Sequence, residues 1–418
     1  MYNLRKMFVM LSLGFASGLP FMLIVSTSTA WLRDVGIDLS TIGFFSWIAI
    51  IYAVKFLWAP LVDRFSIPLL KRYGHRKSWI ILMQVIIFIN LLILSSINPN
   101  EDLFFFTAIA FLIVFAGSIQ DIAIDAFRIE YVELKEQPKL AATYQFGWRI
   151  AIILTQSFAL TFADIGGWST TVQIMALSMS IGLLGIVFST EENNPELGKL
   201  NFVNSIVEPF KDFLSRFGYF AASILLLIIS TYRLTDYVMG PMANPFYLDM
   251  GFTKTEIGLV VKVVALLVSI VGISLGAVLI RFYGIYKSLL IGAFLVMLTN
   301  IFFSYVAITE KNILSLAFIV SMDSLAVGIV GTVNIAFLTS LVSKKYTGFQ
   351  YALLSAVMAG PGIVLKGLSG LWVEYLQSIY GFSYGWAAFY VTTSLLTIPC
   401  MIFLYSNKNF LIKHEKGL

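Results

Sequence analysis

Three charged residues lie within one long apolar stretch of the sequence, at residues 104–128. Asp121, Asp125 and Arg128 are separated by four and three residues, so on a helix they share one face. A carboxylate removed from water inside a membrane is a candidate proton carrier, because desolvation and nearby cations set how readily it binds a proton. The alternative is a structural ion pair, for example between Asp125 and Arg128 or Arg149.

Ionisable residues also occur in other apolar stretches of the chain. A charge within a bilayer costs at least about 2.5–3.5 kcal/mol by insertion scales, so it is expected to face a protein interior or a wet cavity. Such residues therefore indicate a polar path through an apolar protein. The acidic members are Asp121, Asp125, Asp236 and Asp323, and the cationic members are Lys55, Arg149, Arg233, Lys262 and Lys366.

These two groups predict two kinds of site. All four acids are candidates for proton coupling. Asp125 is preferred to Asp121 because it lies one turn closer to Arg128 and the predicted cytoplasmic exit, and Arg149 is expected to approach the coupling carboxylate in one state. The cations are expected to bind an anionic ligand, although Arg233 and Asp236 are three residues apart and are equally expected to pair. The predicted ligand-binding residues are Lys55, Gln120, Arg149, Arg233 and Lys262.

Twelve apolar segments of about 20 residues, the length that spans a ~30 Å hydrocarbon core, must position these residues. Hydrophobic residues make up 59% of the chain and charged residues 12%, against about a quarter charged in soluble domains. The sequence predicts an all-α membrane protein with lipid-facing helices at every third position. Four segments spaced three apart carry no charge, namely the third, sixth, ninth and twelfth, at residues 78–97, 170–189, 288–307 and 384–406.

The Lys and Arg residues outside the spans are distributed unevenly between the two sides. Of the 28 in the chain, 20 fall on the side that holds both termini, three on the other side and five inside spans. Because positive charge is retained in the cytoplasm, both termini are predicted to be cytoplasmic. The net charge of +5 is thereby explained by topology and does not indicate nucleic-acid binding. No metal or other cofactor is predicted.

The chain is predicted to divide into two six-helix halves. The halves cover residues 1–190 and 217–418, and residues 191–216 form a linker with aromatic residues at helical spacing, typical of an amphipathic helix on the inner membrane surface. Two segments, 34–43 and 249–258, repeat Asp, Gly, Ile and Gly at a constant offset. Two halves related by duplication, with the substrate near the bilayer midplane, are a known transporter plan.

Motifs in both halves resemble those of the AmpG-type permeases, a family of the major facilitator superfamily. The resemblance covers nearly the whole chain and implies proton-driven import of anhydro-muropeptides, an anionic glycopeptide product of cell-wall turnover, across the bacterial inner membrane by a monomer. The motifs are Gly14–Pro20, Lys55–Arg64, Gln120–Arg128, Tyr232–Asp236, Asp249–Lys262 and Ala352–Ser355.

A charged loop between the second and third spans resembles the loop that latches the halves of this superfamily. Asp63 and Arg64, followed by Arg76, are predicted to form a cytoplasmic gate in which carboxylate and guanidinium groups pair. The alternative is a solvated loop that only sets the topology.

Other functional classes fit the sequence less well. The two histidines, His75 and His414, lie in a loop and the tail, so neither is placed to form a catalytic dyad with Cys400, and no metal, thiol or phosphate-loop motif is present. The chain is therefore not predicted to be an enzyme, and no repeated pore segment indicates a channel. A permease for another anionic metabolite, such as an acyl-coenzyme A or a siderophore, and a receptor that binds without transporting remain open.

Overall fold

The computed structural model describes residues 2–58, 62, 67–130, 137–189, 202–343 and 347–416. Within these ranges the chain is α-helical, with short 3-10 and π-helical turns and loops, and it contains no strand. Eight helices are long and apolar enough to cross a membrane, and a bent pair makes a ninth candidate. Two of the eight, Thr143–Val187 and Lys254–Ile308, each contain two spans separated at a glycine, and Leu39–Ala53 is a shorter apolar helix. Together with the bent pair, these make twelve spans in the described part of the chain.

The first half of the chain contains six helices. A glycine with a positive φ of 78°, Gly167, divides one apolar run into two, because this left-handed backbone conformation is open to glycine and interrupts a helix. The helices are α1 (Leu4–Asp34), α2 (Leu39–Ala53), α3 (His75–Ser95), α4 (Leu103–Glu130), α5 (137–166) and α6 (168–187).

The second half repeats this plan after a linker helix at residues 202–217. Gly218 and Gly284, with φ of 73° and 79°, end the linker helix and divide the next long run in the same way. The remaining helices are α7 (219–249), α8 (254–283), α9 (285–308), α10 (Ile313–Leu341), α11 (Thr347–Lys366 and Ser369–Tyr380, bent by 42°) and α12 (Phe382–Ser406), followed by a terminal helix, Lys408–Lys416.

The twelve predicted spans therefore correspond to α1–α12 of the described chain. The four uncharged segments lie mainly in α3, α6, α9 and α12, and α3 and α6 each carry a row of exposed apolar side chains. Ile89 and Leu92 on α3 and Leu177 and Leu184 on α6 are all more than a third exposed. Such exposed apolar rows suit contact with lipid tails.

The chain forms two compact units, each with its own core. Unit 1 comprises Met1–Ile37, Ile48–Gly198 and Thr253–Leu259, and unit 2 comprises Asp38–Trp47, Lys199–Phe252 and Val260–Leu418. Each unit thus includes one short segment, the beginning of α2 or of α8, from the other half of the sequence. The physical reason is helix packing, since each of these helix ends lies against a helix of the unit that contains it.

Small residues allow the closest helix contacts inside each unit. In unit 1, Gly14 on α1 lies against the backbone of Tyr144 on α5, where any side chain would collide with a carbonyl. In unit 2, Gly272 on α8 and Gly328 on α10 face each other's backbones in the same manner. Helix association in a membrane depends on this close packing, because moving an apolar side chain from lipid tails into a helix interface gains no hydrophobic free energy.

The repeated segments of the two halves have the same local geometry. Gly36 and Gly251 both adopt a positive φ, of 91° and 81°. Asp34 accepts a hydrogen bond from the indole Nε1 of Trp168 at 2.7 Å, and Asp249 accepts one from Trp386 at 3.0 Å. In both halves a carboxylate at the end of the first helix is therefore anchored to a tryptophan at the start of the sixth.

The linker helix packs on unit 2. Phe213 is buried, and Arg216 donates to the carbonyl of Leu341 at 3.0 Å and to Gln350 Oε1 at 2.9 Å. Gln350 in turn donates to Asp212 at 2.8 Å. A helix is present at residues 202–217 of the predicted linker region, and these contacts fix it to the end of α10 and the start of α11. Residues 191–201 of the predicted linker lie outside the described residues.

Candidate functional site

The spacing of charges on α4 produces a compact ionic cluster inside unit 1. Lys55, just after α2, places its ammonium 3.9 Å from both Asp121 Oδ2 and Asp125 Oδ2. Arg128 lies 3.5 Å from the other oxygen of Asp125. The three α4 residues share one helix face, as their spacing predicts, and one lysine serves two carboxylates.

Asp121 also belongs to a hydrogen-bond chain that joins three helices. The Ser17 hydroxyl on α1 donates to Asp121 Oδ1 at 2.6 Å, and the Tyr144 hydroxyl on α5 donates to Ser17 Oγ at 2.9 Å. The Tyr144 ring lies 5.6 Å from the guanidinium of Arg128. A change in the charge of Asp121 would therefore be felt directly by α1 and, through one hydroxyl, by α5.

Two buried polar groups beside this cluster have spare hydrogen-bonding capacity. Gln120 donates to the carbonyl of Ala16 at 2.9 Å, but its Oε1 has no partner among the described residues. The Tyr52 hydroxyl, which lies over Gly117, likewise has none within the described ranges. Buried polar groups are nearly always satisfied, so these two atoms are suited to a water or a ligand group.

A second ion pair lies in unit 2, where both partners belong to α7. Arg233 Nε is 3.0 Å from Asp236 Oδ2, and its guanidinium is 5.9 Å from the centre of the Tyr237 ring. Of the two interpretations of Arg233, the local pair with Asp236 is the one present here. Arg233 therefore has a counter-charge on its own helix, and its role in ligand binding stays a prediction.

Asp323 on α10 is bound differently from the other three acids. Its Oδ1 accepts a hydrogen bond from Thr299 on α9 at 2.9 Å. No Lys or Arg in the described part of the chain lies within ion-pairing distance of it. It is thus the one predicted proton-coupling acid whose described partners include a hydroxyl and no cation.

The remaining predicted site residues are not brought into these clusters. Arg149 is exposed and makes no ion pair with Asp121 or Asp125 within the described ranges, so Lys55 holds the place that was expected for Arg149. The side chain of Lys262 lies outside the described residues, as do the predicted gate residues Asp63 and Arg64.

Arg76, the third predicted gate residue, begins α3 in a buried position. It is 6% exposed, and its guanidinium donates to the carbonyl of Val62 at 3.4 Å. His75 beside it lies 2.9 Å from the same carbonyl. The start of α3 thereby contacts the backbone of Val62.

Sequence reasoning gave no role to a polar cluster at the loop after α1. Lys254 at the start of α8 lies 2.9 Å from Asp34 and 4.0 Å from Asp164 at the end of α5, all within unit 1. Asp164 also accepts hydrogen bonds from the backbone and hydroxyl of Thr255, at 3.3 and 2.7 Å. The repeat of residues 34–43 at 249–258 was the signal that could have drawn attention to it.

An equivalent contact in unit 2 ties the start of α2 to α11. Glu374 accepts a hydrogen bond from the backbone N–H of Ser40 at 2.9 Å. Ser40 and Thr255 occupy matching positions of the internal repeat, so the N-termini of α2 and α8 each receive a carboxylate from another helix. A negative charge at a helix N-terminus is stabilised by the helix dipole and the free N–H groups.

Comparison with known proteins assigns this arrangement of helices and buried charges to a family. The family model described as Major Facilitator Superfamily matches residues 7–366. The chain belongs to the major facilitator superfamily. It is 33% identical over 417 residues to "Putative transporter AmpG 4" of Rickettsia conorii, with 97% of both chains covered. Within the superfamily it is of the AmpG type, as its motifs predict.

A second relative carries a more specific name. The "Anhydromuropeptide permease" of Escherichia coli K12 is 30% identical over 398 residues, which cover 95% of this chain and 78% of that protein. A solved bacterial homologue of the lysosomal transporter Spinster superposes with a TM-score of 0.72 at 13% identity and covers 99% of this chain and 98% of its own. At that identity the likeness concerns the fold.

These findings confirm the general functional class that the sequence predicts. This permease is a multi-pass membrane transporter embedded in lipid, and it is not an enzyme. Within its described residues no group of His, Cys, Asp and Glu could hold a metal ion.

Proposed function

We propose that this permease imports anhydro-muropeptides into the cytoplasm in symport with protons. The observation that carries the proton coupling is the sharing of one lysine by two acids, because the Lys55 ammonium is 3.9 Å from both Asp121 and Asp125. The substrate class rests on the likeness to the relative named anhydromuropeptide permease. The inner membrane is the proposed location, with both termini cytoplasmic as the charge distribution predicts.

Because one lysine serves two acids, it can fully neutralise only one of them at a time, and the other is then the one that binds a proton. If the ammonium of Lys55 moves toward one carboxylate, the other loses its counter-charge in a poorly solvated site. A proton then supplies the missing neutralisation, since an uncompensated charge is costly there. Movement of Lys55 with α2 during transport would in this way alternately release and admit a proton.

The contacts favour Asp121 over Asp125 as the proton-carrying group. Asp125 retains Arg128 at 3.5 Å when Lys55 departs, so its charge stays compensated. Asp121 has no second cation among the described residues and is also less exposed, with 17% of its side chain accessible against 46% for Asp125. The sequence-based preference for Asp125 is therefore replaced in this proposal by Asp121.

Asp323 is the second candidate for a proton-binding group. Its hydrogen bond from Thr299 is compatible with either charge state, because the hydroxyl donates to a carboxylate and can accept from a carboxylic acid. With no described cation nearby, a proton is the remaining means of neutralising it. Asp236 is the weakest candidate, since it is held by Arg233 at 3.0 Å.

Reconstitution of the purified protein in liposomes tests this function. With an acidic outer medium and an alkaline lumen, labelled anhydro-muropeptide is expected to accumulate inside, and a protonophore is expected to abolish the accumulation. Asp121→Asn should remove uphill accumulation while exchange of labelled for unlabelled substrate continues, because Asn keeps the shape but does not titrate. Asp102→Asn is the matched control, since Asp102 lies in a loop and only caps α4.

Each alternative predicts a different result in the same liposomes. Binding without accumulation in wild-type protein would identify a receptor. Competition by an acyl-coenzyme A or a ferric siderophore, without competition by anhydro-muropeptide, would identify a permease for another anion. Wild-type accumulation by Asp121→Asn, Asp125→Asn and Asp323→Asn alike would show that these acids do not carry the coupled proton.

A further inference from the structure

Lys366 stands out among the cations of the membrane helices because it is buried without a described partner. It is 7% exposed, whereas Lys55 and Arg233 are paired with carboxylates at 3.9 and 3.0 Å. Nowhere in the described ranges does a side chain hydrogen-bond or ion-pair with its ammonium. Buried cations are ordinarily paired, so this one calls for a counter-charge from elsewhere.

Close packing around α11 explains why Lys366 is buried. It lies one helical turn after Gly362 and one before Gly370, and both glycines admit a neighbour that a side chain would exclude. Gly362 lies against the ring of Tyr237 on α7, and Gly370 lies against the backbone of Leu39 on α2, all within unit 2. Lys366 is thus enclosed between two tight helix contacts.

The break in α11 stabilises a cation at this position electrostatically and leaves the N–H donors of the Lys366 ammonium available. Lys366 is the last residue of the segment Thr347–Lys366, and the chain bends by 42° before Ser369. A helix C-terminus carries partial negative charge, which stabilises a nearby cation. Of the carbonyls freed by the break, that of Val364 is taken by the indole of Trp47 at 3.0 Å.

The surroundings suit a sugar–peptide carrying a carboxylate. Trp47 lies over Gly367 and is 36% exposed, and the Tyr237 ring lies against Gly362, four residues before Lys366. Aromatic rings offer an apolar face with polar edges, and the lysine ammonium offers three donors for a carboxylate.

We propose that the ammonium of Lys366 binds a carboxylate of the transported molecule. This inference rests on the proposed function. It singles out Lys366 among the buried cations, although Lys366 is not one of the five predicted ligand-binding residues. The cations of that set with described carboxylate partners, Lys55 and Arg233, then serve to compensate acids of the protein. An anionic substrate would supply the counter-charge that Lys366 lacks among the described residues.

The test compares two forms of one substrate in liposomes that contain the full-length protein. The forms are an anhydro-muropeptide with free peptide carboxyls and the same molecule with those carboxyls amidated. Wild-type protein should prefer the free acid, and Lys366→Met should raise its half-saturating concentration at least about tenfold, since a hydrogen bond to a charged group contributes about 1.5–3 kcal/mol. The amidated form should be affected little, and Lys366→Arg should restore much of the preference.

The control and a second measurement separate the possible failures. Lys287→Met removes an exposed lysine of the same half and should leave both forms unaffected. Thermal stabilisation of each purified variant by the free acid reports binding apart from transport. An equal loss for both forms in Lys366→Met, or an unchanged preference, overturns the role of Lys366 alone. Wild-type protein that neither binds nor transports either form overturns the proposed substrate and this inference together.

Discussion

The ammonium of Lys254 lies 2.9 Å from the carboxylate of Asp34 and thereby joins the start of α8 to the end of α1. Asp34 also accepts the indole N–H of Trp168 at 2.7 Å, and the lysine lies 5.7 Å from the centre of that ring. All three residues belong to unit 1, although Lys254 comes from the second half of the sequence. This contact must break in any step of transport that moves α8 away from α1.

Lys254→Met is expected to shorten the lifetime of the arrangement described here and to change the transport rate. Asp34→Asn should have a similar effect, because it removes the charge while retaining an acceptor for Trp168. The double exchange Asp34→Lys with Lys254→Asp should recover part of the wild-type behaviour by restoring an ion pair. The measurement is the rate of substrate exchange across liposomes, together with labelling of a cysteine placed at position 255 by a membrane-impermeant reagent.

Glu310→Gln is a control, because Glu310 is exposed and precedes α10 on the same predicted side of the membrane as Lys254. Its removal should leave the labelling of position 255 unchanged. Equal labelling rates in Lys254→Met and wild-type protein would contradict a latching role for the Lys254–Asp34 pair.

Removing Lys55 is expected to destabilise the folded protein more than removing it together with its partners. Lys55→Met leaves Asp121 and Asp125 without the shared cation, and because Lys55 is 34% exposed the cost should lie between about 0.2–1 kcal/mol for an exposed pair and about 3–5 kcal/mol for a buried one. The combination of Lys55→Met with Asp121→Asn should recover much of this loss. Thermal unfolding of the variants in detergent measures the coupling.

A strictly additive loss in the double variant would contradict a direct interaction between Lys55 and Asp121. Ser17→Ala provides a second comparison, because the Ser17 hydroxyl donates to Asp121 at 2.6 Å. Its removal should cost about 1 kcal/mol, as for a typical hydrogen bond, with the loss reduced in the Asp121→Asn background.

The two matching helix caps should differ in their response to pH. Asp38 caps α2 through the N–H of Thr41 at 3.2 Å. Partial burial raises its pKa, but hydrogen bonds from Thr41 and Ser40 outweigh this, so that the pKa of Asp38 is lowered below 3.8. Its contribution to stability is therefore complete above about pH 4 and is lost as the pH falls further. Asp38→Ala should cost roughly 0.5–2 kcal/mol at neutral pH and less below pH 4.

Thr253 occupies the matching position at the start of α8, where its hydroxyl accepts from the N–H of Glu256 at 3.1 Å. A hydroxyl does not titrate in this range, so the cost of Thr253→Ala should change less with pH than that of Asp38→Ala. Unfolding of both variants from pH 3.5 to 7 makes the comparison. Parallel pH profiles would contradict the role assigned to the Asp38 carboxylate.

The sequence by itself determined the class of the protein and the composition of one charged helix face. Apolar length and the near absence of charge in every third segment predicted the twelve helices, because a bilayer imposes both length and polarity on each span. Helical spacing placed Asp121, Asp125 and Arg128 on one face. The repeat at residues 34–43 and 249–258 predicted a duplication, which the paired Asp–Trp contacts reproduce.

The pairing of charges between helices was decided only by the tertiary structure. Nothing in the spacing of residues distinguishes Lys55 from Arg149 as the partner of Asp121, because the choice depends on where the end of α2 lies against α4. The isolation of Lys366 depends likewise on glycines that bring α7 and α2 against α11. Periodicity reports which residues share a face of one helix, whereas contacts between helices depend on packing at distances that a local pattern does not encode.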